Sequence, residues 1–237
     1  MKIAEGIHRI GGGLINVYLL EESGEITIID AGLSGFWTKL PDELTAMGRS
    51  LDDVRALVLT HAHVDHVGFA ERLRRERGVP IQVHELDAMI ARGEATPRNQ
   101  KIGSLSLLPT LRFLSFALRQ GMLRTVRIDE VVTFGDGATL DVPGAPRVIH
   151  TPGHSEGSAV LHLPERSVAF VGDAFATLNV INGKTGPRIA PFSSDIPRAL
   201  GSLARLESVD ARLALPGHGE PWTGGLAEAV RLVRAAN

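Results

Sequence analysis

Apolar and polar positions along this chain alternate between two periods, and the exchange marks out an α/β protein. Residues 14–20 and 26–29 are short apolar runs separated by the turn signal Glu22-Ser23-Gly24-Glu25, which predicts two strands. Residues 36–48 read as a helix that ends near Gly48. The run 55–60 has the continuous apolar character of a buried strand, and a helical stretch over 65–77 stops at Gly78-Val79-Pro80. A strand at 81–84 and a helix near 85–93 follow. Residues 94–128 interrupt the rhythm. Beyond them the pattern predicts strands at 131–134, 138–142, 147–150, 158–163 and 167–171, a helix over 196–207, a strand at 212–215 and a helix over 225–236. Strands in both halves with helices beside them predict a four-layer αββα sandwich, two mixed β-sheets flanked by helices. No tandem repeat or low-complexity linker divides the chain, so the expectation is a single domain over 1–237 with a helical insertion at about 94–128.

Chemistry enters at the strand ends. The strand 55–60 runs into Thr60-His61-Ala62-His63-Val64-Asp65-His66, which puts four metal-binding side chains into six residues at a strand-to-helix turn. Imidazole and carboxylate in that density suit zinc, with manganese or iron as alternatives. Three more apolar runs each end in a tight turn that presents one such residue. They are Val148-Ile149-His150-Thr151-Pro152-Gly153-His154, Val168-Ala169-Phe170-Val171-Gly172-Asp173 and Leu213-Ala214-Leu215-Pro216-Gly217-His218-Gly219. In α/β sheets, ligand sites lie outside strand ends. His8 and His162 fall inside strand patterns and read as structural, while His84 and His150 stand near enough to the turns to support a ligand.

Composition narrows the field. There is no cysteine among the 237 residues, which excludes disulfides, thiolate metal sites and a cysteine nucleophile. A formal net charge of −2 provides no global field for nucleic acid or acidic membranes. The N-terminal Met1–Gly13 lacks the apolar core of a signal peptide and no run is long enough to span a membrane, so the expected location is cytoplasmic.

The order HAHVDH, TPGH, GD and PGHG, preceded by Ile28-Ile29-Asp30-Ala31-Gly32, resembles the metallo-β-lactamase superfamily over nearly the whole chain. The resemblance implies the αββα fold and two divalent cations, most often zinc. It assigns His61, His63 and His154 to the first cation, Asp65, His66 and His218 to the second, and Asp173 to a bridge between them. Asp30 resembles the carboxylate that orients a ligand from behind. The implied reaction is hydrolysis of a small carbonyl compound (a lactone, ester or thioester). Two cations about 3.5–4 Å apart share a bridging water and bring its pKa toward neutrality for the attack. Asp65 then moves a proton to the leaving group. Phosphodiesterase or β-lactamase-like activity on the same site, and a mononuclear iron dioxygenase-type relative, remain the alternatives.

The segment 94–128 bears on the substrate. Residues 98–127 are rich in leucine and phenylalanine and carry six basic side chains, Arg98, Lys101, Arg112, Arg119, Arg124 and Arg127, with no acidic one. This reads as a lid over the pocket that uses Phe113 and Phe116. The competing readings are a helix packed on the core or in a homodimer interface, and, third, a contact with a membrane surface. An Asn-Gly turn signal at Asn182-Gly183 marks a second loop at the pocket, from which Arg188 is placed to meet a substrate carboxylate.

Overall fold

The structure is a computed structural model that describes residues 1–97 and 100–236. Arg98, counted above among the basic side chains of the insertion, lies outside the described residues. Strands β1 (Lys2–Ala4), β2 (Ile7–Gly11), β3 (Asn16–Glu22), β4 (Glu25–Ile29), β5 (Val54–Val58), β6 (Ile81–His84) and β7 (Val132–Phe134) form one seven-stranded sheet in sequential order. Its first four strands pair antiparallel, and β4 to β7 pair parallel. Strands β8 (Arg147–His150), β9 (Ala159–Leu163), β10 (Val168–Gly172) and β13 (Leu213–Pro216) make a second sheet, ordered β13-β10-β9-β8. A separate hairpin pairs β11 (Ala176–Leu178) with β12 (Thr185–Arg188) around the Asn-Gly turn.

Parallel neighbours need crossovers, and helices supply them. Helices α1 (Leu40–Ala46), α2 (Ala70–Arg77), α3 (Ala88–Ala91) and α4 (Leu107–Arg119) fall between strands of the first sheet, and α5 (Ile196–Ser202) and α6 (Leu226–Ala235) flank β13 in sequence. Local signals set their ends. Pro41 and the acidic Asp42 and Glu43 suit the first turn of α1. Gly78, left-handed at φ 67°, ends α2, and the Asp195 side chain accepts from the Arg198 amide at 3.0 Å to cap α5.

Three apolar clusters define the layers. In the first, Val17, Leu19, Ile28 and Leu57 pack against Leu40 and Leu44 of α1, Leu73 of α2 and Phe113 of α4. In the second, the opposite faces of the same strands, Tyr18, Leu20, Ile29 and Val58, meet Leu161, Phe170 and Leu215 of the other sheet. In the third, Val160, Ala169 and Val171 pack against Leu203, Val230 and Val233. Alternate residues of one strand serve different clusters, as a two-residue period requires. The expected four-layer αββα sandwich of two mixed sheets is therefore observed.

Strands β1 and β2 are not among the expected elements, the helix expected over 196–207 ends at Ser202, and three further boundaries differ from expectation. Residues 138–142 form no strand, only an isolated bridge from Thr139 to Arg147, because Pro143-Gly144 turns the chain and the Leu140 amide bonds back to the Pro146 carbonyl at 3.0 Å. The helix expected from 65 begins at Ala70, because the preceding backbone bonds sideways instead of along itself. The Ala31 amide donates to the His66 carbonyl at 2.6 Å and the Gly68 amide to Gly32 at 2.7 Å. The helix expected over 36–48 opens as a 3-10 turn over Ser34–Lys39.

Phe170 is fully buried between the sheets, with its ring 5.5 Å from that of Tyr18. Phe170→Ala is expected to lower the unfolding free energy by about 3–5 kcal/mol, read as a lower urea midpoint at unchanged slope.

Candidate metal centre

Every candidate ligand stands just past a strand end on one rim of the sandwich. Asp30 follows β4, the His61–His66 segment follows β5, His154 follows β8, Asp173 follows β10 and His218 follows β13. Three groups of ligand atoms, each mutually within 4.8 Å, gather there: His61, His63 and His154; His61, His66 and Asp173; and Asp65, His66 and His218. The groups share members, so the seven side chains form one cluster. His154 Nε2 lies 2.8 Å from His63 Nδ1 and 3.4 Å from Asp173 Oδ2. His218 Nε2 lies 3.3 Å from Asp173 Oδ2 and 3.4 Å from Asp65 Oδ2.

The five imidazoles are anchored from behind in the same manner, each with one nitrogen held by the protein and the other facing the cluster. His61 Nδ1 meets Thr60 Oγ1 at 3.1 Å, His66 Nδ1 meets Asp30 Oδ2 at 2.9 Å and His154 Nδ1 meets Ser193 Oγ at 3.1 Å. His218 Nδ1 is bonded to the Leu14 carbonyl, and the Gln100 amide sits 3.2 Å from His63 Nε2. Such contacts fix the ring tautomer and orientation. The inward atoms His61 Nε2, His66 Nε2 and Asp173 Oδ1 are buried without a hydrogen-bond partner among the described residues. Orphaned buried polar atoms are costly unless something satisfies them. Five nitrogens and two carboxylates converging on one point fit divalent cations, with zinc and iron both suited to the donor set.

A further layer holds the turns themselves. Asp30, buried and left-handed at φ 63°, accepts from the Thr60 amide at 2.8 Å as well as from Thr60 Oγ1 and His66. Asp87 is fully buried and ties two ligand turns together, accepting from the Ala62 amide at 2.9 Å, Ser155 Oγ at 2.7 Å and the Gly157 amide at 2.7 Å. Asn16 Nδ2 donates to the Pro216 and Gly219 carbonyls, and the Tyr18 hydroxyl donates to Pro216 at 2.8 Å, which fixes the His218 turn to β3. Gly217 is required by closeness, since a Cβ there would come within 2.5 Å of Asp173 Oδ1 and 2.6 Å of His66 Cε1.

Electrostatics divide the cluster. Burial pushes His61 and His63 below their ordinary value, and burial with His63 alongside takes His154 down to about 3, so all three are neutral and offer lone pairs. Burial also opposes a charge on His66, but Asp30 and then Asp65 override it and lift His66 to about 9. His218 is raised well above its ordinary value, because Asp173 and Asp65 outweigh its burial. Burial likewise disfavours ionised Asp65 and Asp173, yet the cationic rings of His66 and His218 foremost hold both well below the carboxylate range.

The cluster opens on a cavity of about 790 Å³ whose lining includes His63 and Asp65 together with Leu33, Val67, Phe113 and Phe192. Arg124 and Arg127 also line it. Of the substrate residues expected from sequence, Phe113 lies on the cavity, its ring 6.4 Å from that of His218. Phe116 points elsewhere and meets Phe36 edge-on at 6.3 Å. Arg188 bonds the carbonyls of Thr185 and Gly186 in its own hairpin and is not among the lining residues. His8 pairs with Glu43 at 2.6 Å and His162 Nε2 meets the Asp210 carbonyl at 3.1 Å, both outside the cluster. His84 and His150 stack on each other at 4.3 Å and belong to none of the three ligand groups.

The model of the metallo-beta-lactamase superfamily matches residues 10–218. Among curated proteins, the probable metallo-hydrolase YflN of Bacillus subtilis is 27% identical, covering 94% of this chain and 87% of that one. The human acyl-coenzyme A thioesterase MBLAC2 is 29% identical, covering 87% of this chain and 74% of that one. Among solved structures, the metallo-beta-lactamase family protein TTHA1429 of Thermus thermophilus superposes with a TM-score of 0.71 at 24% identity, over 98% of this chain and 79% of that one. TTHA1623 in a di-iron-bound form superposes with a TM-score of 0.61 at 26% identity, over 94% of this chain and 96% of that one.

Protons on His66 and His218 stand in for cations when none is bound, so divalent metal must displace them. Because His66 is raised to about 9, it is protonated at pH 7, and apparent metal affinity is expected to rise with pH until about 9. Calorimetry in buffers of different ionisation enthalpy should read about one to two protons released per chain at pH 7.5. Binding with no proton release, and no pH dependence, would contradict this division of charge.

Proposed function

The chain belongs to the metallo-β-lactamase superfamily and is a metal-dependent hydrolase, and from that premise we propose that it uses two divalent cations to cleave an ester, thioester or lactone carrying an apolar acyl group. The observation that carries this reading is the apolar cavity that reaches His63 and Asp65. In this reading His61, His63 and His154 hold one cation, Asp65, His66 and His218 hold the other, and Asp173 lies between them, in keeping with the groups of ligand atoms. When bound, such a pair makes water nucleophilic near neutral pH and polarises a carbonyl oxygen.

The chain's own groups do the rest. Phe113, Leu33 and Val67 exclude bulk water and seat the acyl group with its carbonyl at the cluster. Among the described residues, Asp65 is the only carboxylate lining the cavity. It accepts the proton shed by the attacking water and passes it to the departing oxygen or sulfur. Arg124 and Arg127 draw an anionic leaving portion to the same cavity. The 29% identical human relative bears the name of an acyl-coenzyme A thioesterase, a substrate of this description. For the cations, zinc is the first reading; iron is the second, favoured by the di-iron-bound form of TTHA1623. The 1–237 stretch acts in this proposal as one catalytic domain, with 94–128 as the insertion that completes the cavity.

Elemental analysis tests the site. About two zinc or iron per chain are expected. Asp173→Ala and His218→Ala should lower metal content and rate together with the fold kept, whereas His162→Ala should do neither. One metal per wild-type chain, or equal metal loss in His162→Ala, would refute the assignment.

An acyl series tests the substrate. Each methylene buried contributes about 0.8 kcal/mol, so two added carbons should lower KM about tenfold until the cavity is filled. Phe113→Ala should flatten that trend. A flat series in the wild type would refute the acyl cavity, and a preference for phosphodiesters over every carbonyl substrate would replace the proposed chemistry.

A further inference from the structure

Helix α4 has two apolar faces, and only one of them is used by the cavity. Thr110, Phe113, Leu114 and Ala117 line the cavity at the spacing of one helical face. Leu107, Leu111, Leu114 and Leu118, spaced by four, three and four, form an adjacent stripe that faces solvent. Leu107 is 75% exposed, and Leu108 beside it is 78% exposed. Leu105 before the helix and Leu123 after it are exposed and also line the cavity, so the outer stripe runs continuously into its walls. Eight of the thirteen exposed large apolar side chains fall within residues 102–123. That concentration is not the scatter of single apolar residues a soluble surface carries.

Between positions 98 and 127 the charge has one sign. Lys101, Arg112, Arg119, Arg124 and Arg127 are exposed, and no carboxylate occurs between positions 98 and 127. None of the five forms an ion pair among the described residues, whereas Arg74, Arg92 and Arg205 elsewhere all do. Arg112 and Arg119, seven residues apart, stand together on the side of the leucine stripe away from the cavity face. A second copy of the chain is a poor occupant, because a two-fold contact would bring two basic patches together with no carboxylate in the segment to pair them. An apolar stripe bordered by unopposed basic side chains fits a surface that is apolar within and anionic at its boundary.

We propose that α4 and its flanking residues are the docking surface for an anionic lipid bilayer, set so that the cavity mouth faces the membrane. The leucine stripe enters the boundary between headgroups and acyl chains, and the arginines meet the lipid phosphates. An amphiphile leaving the bilayer then passes Leu105 and Leu123 into the cavity. This last point rests on the acyl hydrolase reading; the docking itself does not.

Flotation of the full-length, metal-loaded protein with vesicles tests the docking directly. Binding to phosphatidylglycerol vesicles is expected, with weaker binding to phosphatidylcholine and loss at high salt. Arg112→Glu with Arg119→Glu should lower partitioning about fivefold or more for each arginine removed. Leu107→Ser with Leu108→Ser should abolish it. Neither pair lines the cavity, so turnover of a soluble short-chain ester should stay unchanged and report an intact fold. Absence of binding to either vesicle would overturn the proposal. So would equal binding to both, or light scattering that shows a dimer which the leucine variants dissociate. Vesicle binding without ester hydrolysis would instead leave the docking standing and remove the acyl hydrolase reading.

Discussion

Seven Lewis-basic side chains gathered around one point, six of them buried, cannot satisfy one another, and the rest of the architecture follows from keeping them there. Three inward atoms, His61 Nε2, His66 Nε2 and Asp173 Oδ1, have no partner among the described residues, and His63 and His154 bring two nitrogens within 2.8 Å. Left loose, such groups would swing outward to water. They stay because each imidazole is bonded on its far side and the turns that carry them are themselves bonded. Asp30 joins the turns after β4 and β5, while Asp87 joins the turns after β5 and β8. The cluster is thus a destabilised centre inside a stiff frame, the condition under which a cation binds tightly and with fixed geometry.

The legible and illegible parts of this site separate by range. His61, His63, Asp65 and His66 could be found because they share one turn, and His154, Asp173 and His218 because each ends an apolar run with a glycine beside it. Their anchors left no such mark. Asp87 sits in an ordinary-looking helical stretch, Asn16 and Tyr18 in an ordinary strand, and Ser193 in a loop. Their roles come from partners dozens to about two hundred residues away. The strand pattern gave the inner strands of both sheets and the layers, but passed over β1 and β2. It failed over 138–142, where alternation survived but the backbone amides were committed to a turn. It overran at 65–69, where the helical pattern was right but cross-chain bonds to Ala31 and Gly32 took the backbone first.

Aromatic and cationic residues were the least predictable from sequence. Phe113 and Phe116 stand three apart on one helix, only about 60° apart around it, yet one lines the cavity and the other meets Phe36. Arg188 spends its guanidinium on its own hairpin, while Arg124 and Arg127, unremarkable members of a basic run, reach the cavity. A long side chain's destination depends on packing that no local pattern encodes.

The bonds from β3 and the residue Leu14 just before it to the His218 turn span much of the chain: Tyr18 to Pro216, Asn16 to Gly219 and Leu14 to His218 are separated by 198, 203 and 204 residues. Contacts of such separation form late in folding, since closing the loop must precede any gain from them. During synthesis the HAHVDH turn therefore emerges long before its last partner exists. A nascent chain can offer stray metal a few histidines but not a finished centre. Assembly of the hydrolytic site thereby becomes a timing event, and reactivity is withheld until β3 and the turn after β13 have met.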